Sequence, residues 1–157
     1  MILISGAPFP VATASAVRPQ IYAQIESSDE NYGVLDLPTD AGSTMDTSRY
    51  LYWQSAHGKG IPYAPDARAS TSSLLRYGAF RRLAAACSRR PDEHQRLGLN
   101  RWGQNSHHMQ SLKAAGIGWI VLHHQIDPQT APKLEAIIRS DLGEGLRVDD
   151  ATLWKLP

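Results

Sequence analysis

The 157-residue chain has one cysteine, two phenylalanines and three methionines. A lone thiol, Cys87, excludes an internal disulfide and any metal set built on paired thiolates. Cys87 lies on the helical stripe Phe80, Leu83, Ala84, Cys87, a spacing that predicts a small buried side chain rather than a nucleophile. Long apolar runs are lacking too. The longest, GIGWIVL, falls well short of the roughly 18 residues a membrane span needs and reads as a buried strand. Charge of one sign is also missing: 16 Lys and Arg against 15 Asp and Glu leave a formal charge of +1, so no nucleic-acid partner is expected. The local exception, Arg68 to Arg101 with its eight arginines, reads as a solvated basic face. The N-terminus has no basic leading residues, and Pro8 and Pro10 interrupt it. It does not read as a secretion signal but as an extended lead-in over residues 1–17, ahead of a single domain at 18–157.

What is present alternates in period. Pro19 with Ile21, Tyr22 and Ile25 predicts a short helix over 19–27, and GVLDLP a compact strand stopped by Pro38. A helix capped by Asp46 or Thr47 is expected to run through Tyr50 and Trp53 to His57, with Gly58 closing it. Ser72 or Ser73 starts a second helix to about Arg89. Residues 91–105 read as a polar loop, and Ser106 caps a third helix ending at Gly116. IGWIVLHH is the clearest strand. Thr130 is the expected cap of a helix bearing Leu134, Ile137, Ile138 and Leu142, and LRVDDATLWKLP closes the chain as a strand pair around Asp149 and Asp150. This order predicts an α/β fold: a layered sandwich with a mostly parallel central sheet and a C-terminal antiparallel edge or hairpin.

In such sheets, ligands gather at the carboxyl ends of strands, which here carry Asp36 and then His123 and His124. If the two strands are neighbours, Asp36 and an imidazole form an acid–base pair. The alternative is an aspartate bonded to the following turn. Six histidines invite a zinc site, but there is no HExxH, and adjacent histidines on a strand point to opposite faces. No metal and no cofactor is expected. HGKG is not a phosphate loop, since GxxxxGK[ST] is absent. It leaves His57, Lys59 and Arg68 as cationic donors for a phosphate or carboxylate, set against the plainer reading of a helix-end histidine, a solvated lysine and a paired arginine. On the preceding helix, Tyr50 and Trp53 share one face and read as core. Tyr52 is the aromatic expected outside, where it suits stacking on a sugar.

The segments YGVLDLP, RYLYWQSAHGKGIPYAPDARAS and LKAAGIGWIVLHH together resemble the soluble region of bacterial polytopic membrane proteins of the GT-C glycosyltransferase-like type. That pattern has a strand ending in Leu-Pro, a Tyr-rich segment leading to His-Gly-Lys-Pro-Ile, and a late strand ending in His. The match runs from Tyr32 to His124 and singles out Asp36, Pro38, Tyr52, Gln54, His57, Gly58, Lys59, Arg68 and His123. Gly60 stands where the family commonly has Pro, and Ala67 where it has Ser. The resemblance implies an extracytoplasmic module of a longer polypeptide that is not itself catalytic. Its partners would be the transmembrane part of the same chain and a sugar or lipid-linked phosphate ligand. The other reading left open by the residues is a free-standing small hydrolase or transferase using Asp36 with His57 or His123.

Overall fold

A computed structural model describes residues 19–39, 48–63, 72–88 and 108–157. The lead-in over 1–17, the caps expected at Asp46, Thr47 and Ser106, Arg68 and the loop 91–105 lie outside the described residues. In chain order the elements are α1 (Tyr22–Glu26), β1 (Gly33–Leu37), α2 (Ser48–His57), a 3-10 turn (Ser72–Arg76), α3 (Gly78–Cys87), a second 3-10 segment (Met109–Ala115), β2 (Ile117–His123), α4 (Ala131–Leu142), β3 (Leu146–Val148) and β4 (Ala151–Lys155).

The four strands form one sheet in the order β1-β2-β4-β3. The α/β fold with antiparallel C-terminal strands expected from the sequence is present. Its parallel component is the single pair β1–β2, while β2–β4 and β3–β4 are antiparallel. The β3–β4 hairpin turns at Asp149, the one described non-glycine residue with positive φ, at 52°. Aspartate tolerates that conformation because its short polar side chain bonds locally.

All seven residues of β2 are buried, as a strand covered on both faces requires. The register sets Asp36 beside Val121 and Leu37 beside Leu122, so Asp36, Val121 and His123 share one face and Leu35, Leu37, Ile120 and Leu122 the other. Helices α1 and α2 pack together and bring Tyr22, Tyr50 and Trp53 to the face bearing His123. Helices α3 and α4 pack together with the second 3-10 segment, and α4 also meets β2. In α3 the small run Ala84–Ala85–Ala86 with Cys87 is buried, which lets helix backbones approach closely.

Two local starts differ from expectation. The helix predicted from Ser72 is split into a 3-10 turn and α3, because Tyr77 adopts an extended conformation (φ −90°, ψ 126°) between them. Thr130 makes no side-chain cap to α4. Asp127 instead orders the turn that leads into α4: its carboxylate accepts from the backbone N–H of Gln129 and Thr130 and from the Thr130 hydroxyl.

Candidate functional site

Asp36 lies near the end of β1 and His123 is the last residue of β2. Parallel pairing therefore brings their side chains together at the carboxyl ends of the strands. His123 Nε2 is 2.9 Å from Asp36 Oδ1. Tyr22, from α1, donates its hydroxyl to the same oxygen at 2.5 Å and lies 3.1 Å from His123 Nε2. Asp36 Oδ2 is buried and has no hydrogen-bond partner among the described residues. Tyr22 and Asp36 are 0% exposed and His123 is 2% exposed, so the acid, phenol and imidazole form a closed internal set.

Aromatic rings enclose it. Trp53 lies 4.6 Å from the His123 ring, between centroids, and Tyr50 stacks on that ring at 5.6 Å. His57 packs on Tyr22 at 4.9 Å. Burial, reinforced by the Asp36 charge and by the hydrogen bond to it, pushes the Tyr22 phenol far above its ordinary range. Tyr22 therefore stays a hydrogen-bond donor, because its ionised form would face a carboxylate in a low-dielectric interior. Tyr63 donates its hydroxyl to the Asp36 carbonyl, and Tyr50 donates to the Pro38 carbonyl at 2.8 Å. Three aromatic hydroxyls thus fix the last residues of β1 and the cis Leu37–Pro38 peptide beyond it.

The His-Gly-Lys turn faces the same strand. Helix α2 ends at His57, and Gly58 follows at φ 65°, a left-handed value that costs glycine little. His57 Nδ1 accepts from the Lys59 N–H at 3.1 Å, and Gln54 Nε2 donates to the Lys59 carbonyl at 3.2 Å. The Lys59 ammonium donates to the carbonyls of Ser28 and Glu30 at 2.7 and 2.8 Å. Gly60 O accepts from the Val34 N–H at 2.8 Å, covering the outer edge of β1. Gly33 is required beside it, since a Cβ there would sit 2.8 Å from Gly60 O.

The seven sequence candidates therefore separate. Asp36 and His123 are brought together, and His57 joins them through the Tyr22 ring. Gln54 and Lys59 build the turn. Tyr52 stands on the outer side of α2, 56% exposed, and Arg68 lies outside the described residues. His57 and Lys59 do not converge on one external anion: the imidazole is buried in the aromatic group, while the ammonium reaches back to the chain after α1. The left-handed residue between them turns the two side chains apart.

Sequence reasoning placed Tyr22 on a helical stripe and missed it as the third member of the cluster. The bond to Asp36 spans 14 positions and that to His123 spans 101, so no local spacing reports them. Among the described residues no group of three or more His, Cys, Asp or Glu side chains is placed to hold a metal ion. No described helix is long and apolar enough to cross a membrane. Neither a family model, nor a curated protein, nor a solved structure matches the chain.

Proposed function

We propose that this chain is a non-catalytic, extracytoplasmic α/β module of a glycosyltransferase-like membrane protein, bracing the transmembrane part of the same polypeptide. The observation that carries the reading is the use of the motif residues inside the fold. Asp36, Pro38, His57 and His123 gather around the end of β1, and Gly58 and Lys59 carry the chain from His57 back toward the segment that leads into that strand. This use supports reading the motif as architectural, with Lys59 and the two imidazoles engaged by the protein itself. Tyr52, the one aromatic of α2 left exposed, is the residue on which a sugar ring of a lipid-linked ligand would stack.

The test is the coding region upstream of Met1. The reading requires several hydrophobic spans in frame, and removal of the module from the full-length protein should lower its yield in the membrane. A stop codon directly upstream, with a ribosome site serving Met1, would overturn it.

One observation favours a second reading. The 2.9 Å contact between Asp36 and His123 is one that a carboxylate orienting a general base would make. A hydrolase or transferase built on this pair turns over phosphoester or ester substrates and loses that turnover in His123→Ala. Purified protein with no turnover on either class removes this reading.

A further inference from the structure

We propose that His124 is an acid-sensitive clasp on the β3–β4 hairpin, and that charging its ring frees the edge strand β3 while the rest of the sheet stays paired. This goes beyond the bracing reading and does not depend on it. His124 is the first residue after β2 and meets the hairpin at two points: its N–H donates to the Asp150 carbonyl at 2.9 Å, and its Nε2 lies 2.8 Å from the Thr152 hydroxyl. Thr152 pairs across the hairpin with Arg147, so those two side chains rise from one face of the sheet, the face on which the imidazole lies. Strand β3 is three residues long and is the outer strand of the sheet, laddered among the described residues to β4 alone. The chain on either side of it is fixed by bonds that no proton on the ring alters. Trp154 Nε1 donates to the Gly143 carbonyl at 3.0 Å, Arg139 pairs with Glu144, and the His124 N–H keeps Asp150 in place. Release is therefore confined to residues 146–149.

The consequence follows from charge. Burial opposes a proton on the ring most, and Arg147 of β3 opposes it next, with His123 of β2 adding to both; Glu135 of α4 and Asp150 of the turn favour it. The opposition wins, so the folded ring stays neutral at a pH where an unfolded histidine is already charged. A charged Nε2 still donates to the Thr152 oxygen, and that bond does not break. The cost is a cation held half-buried beside a guanidinium. Lifting β3 admits water to the ring and carries Arg147 away, which relieves the two largest causes together. Helix α4 is the costlier element to move, because Leu134 and Ile138 anchor it in the core.

Hydrogen exchange of the full chain, corrected for the intrinsic pH dependence of exchange, tests the clasp. As pH falls through the ordinary histidine midpoint of about 6.5 and below it, protection of the β3 amides is expected to fall roughly threefold relative to β2, the scale of one exposed charge contact. His124→Gln keeps a side-chain partner for Thr152 and has no ring to charge, so its ratio stays constant with pH. Arg147→Gln removes one cause that opposes the proton: the His124 ring midpoint, read by NMR, should rise, and the acid loss at β3 should shrink. Equal loss of protection in β3 and β2, or an acid response in His124→Gln matching that of the parent protein, overturns the proposal. Should His124→Gln fail to fold, Arg147→Gln, a change at an exposed side chain, decides the matter. An unmoved midpoint with an undiminished loss at β3 would sink the idea.

Discussion

Asp36 and His123, 87 residues apart in the chain, meet at 2.9 Å because β1 and β2 are adjacent parallel strands and both side chains project from the same face at the carboxyl end. Each is nearly without solvent contact, so each depends on the other and on Tyr22 for the polar partners that water no longer supplies. Asp36→Ala leaves the phenol and the imidazole without an acceptor and should destabilise the domain by about 3–5 kcal/mol. Asp36→Asn keeps an acceptor and should cost about 1–3 kcal/mol. Urea unfolding followed by circular dichroism measures both. In a double-mutant cycle with His123→Ala the losses should be far from additive, as they are for residues in one network.

The Tyr22 phenol is raised by burial first and by Asp36 second, so its folded value lies above that of the unfolded chain, about 10. The unfolded chain then releases this proton first. Stability from Tyr22 is complete below about pH 10 and declines as pH rises beyond it. Ultraviolet titration of phenolate should show that Tyr22 ionises only with alkaline unfolding, and Tyr22→Phe should remove that part of the alkaline loss.

The edge of β1 is closed by Gly60, and the close approach demands glycine at 33. Gly33→Ala places a methyl 2.8 Å from the Gly60 carbonyl, backbone that has no flexible end to move aside. A loss of about 1–3 kcal/mol is expected. Gly60→Ala meets nothing within 4 Å and should be close to neutral. Parallel thermal melts of the two variants distinguish a packing requirement at 33 from a general intolerance of the turn.

Burial, aided by Arg147, pushes the His124 imidazole below its ordinary range, while Glu135 and Asp150 oppose the shift. The depressed value means that the unfolded chain takes up this proton first. Its contribution to stability is present above about pH 6.5 and is lost as pH falls below that. Proton NMR of the His124 ring should give a midpoint below that of a denatured-chain histidine, and His124→Gln should flatten this part of the acid response.

Much of the fold was legible because period and punctuation agreed. Ile117–His123 is apolar and follows Gly116, whose φ of 82° only glycine adopts cheaply, and the chain does turn there into β2. Tyr50 and Trp53 are buried and Tyr52 is exposed, as positions three and two apart on a helix dictate. The Asp36 and His123 pairing was legible only as a condition, namely that their strands be neighbours. The use of Lys59 was not legible. Its acceptors are backbone carbonyls 29 and 31 positions away, and carbonyls leave no trace in side-chain spelling. Thr130 does stand at the start of α4, but its hydroxyl does not cap the helix, because it donates to Asp127, three residues earlier, whose carboxylate also takes two N–H groups of the turn.

The inward use of Lys59 is most directly tested by urea unfolding of Lys59→Met beside the parent protein, each with and without inorganic phosphate. The account predicts that the variant loses about 1–2 kcal/mol from its two charge-assisted bonds, part-exposed as they are. Phosphate should leave the difference unchanged. Equal stability without phosphate, with phosphate stabilising the parent protein alone, would contradict it.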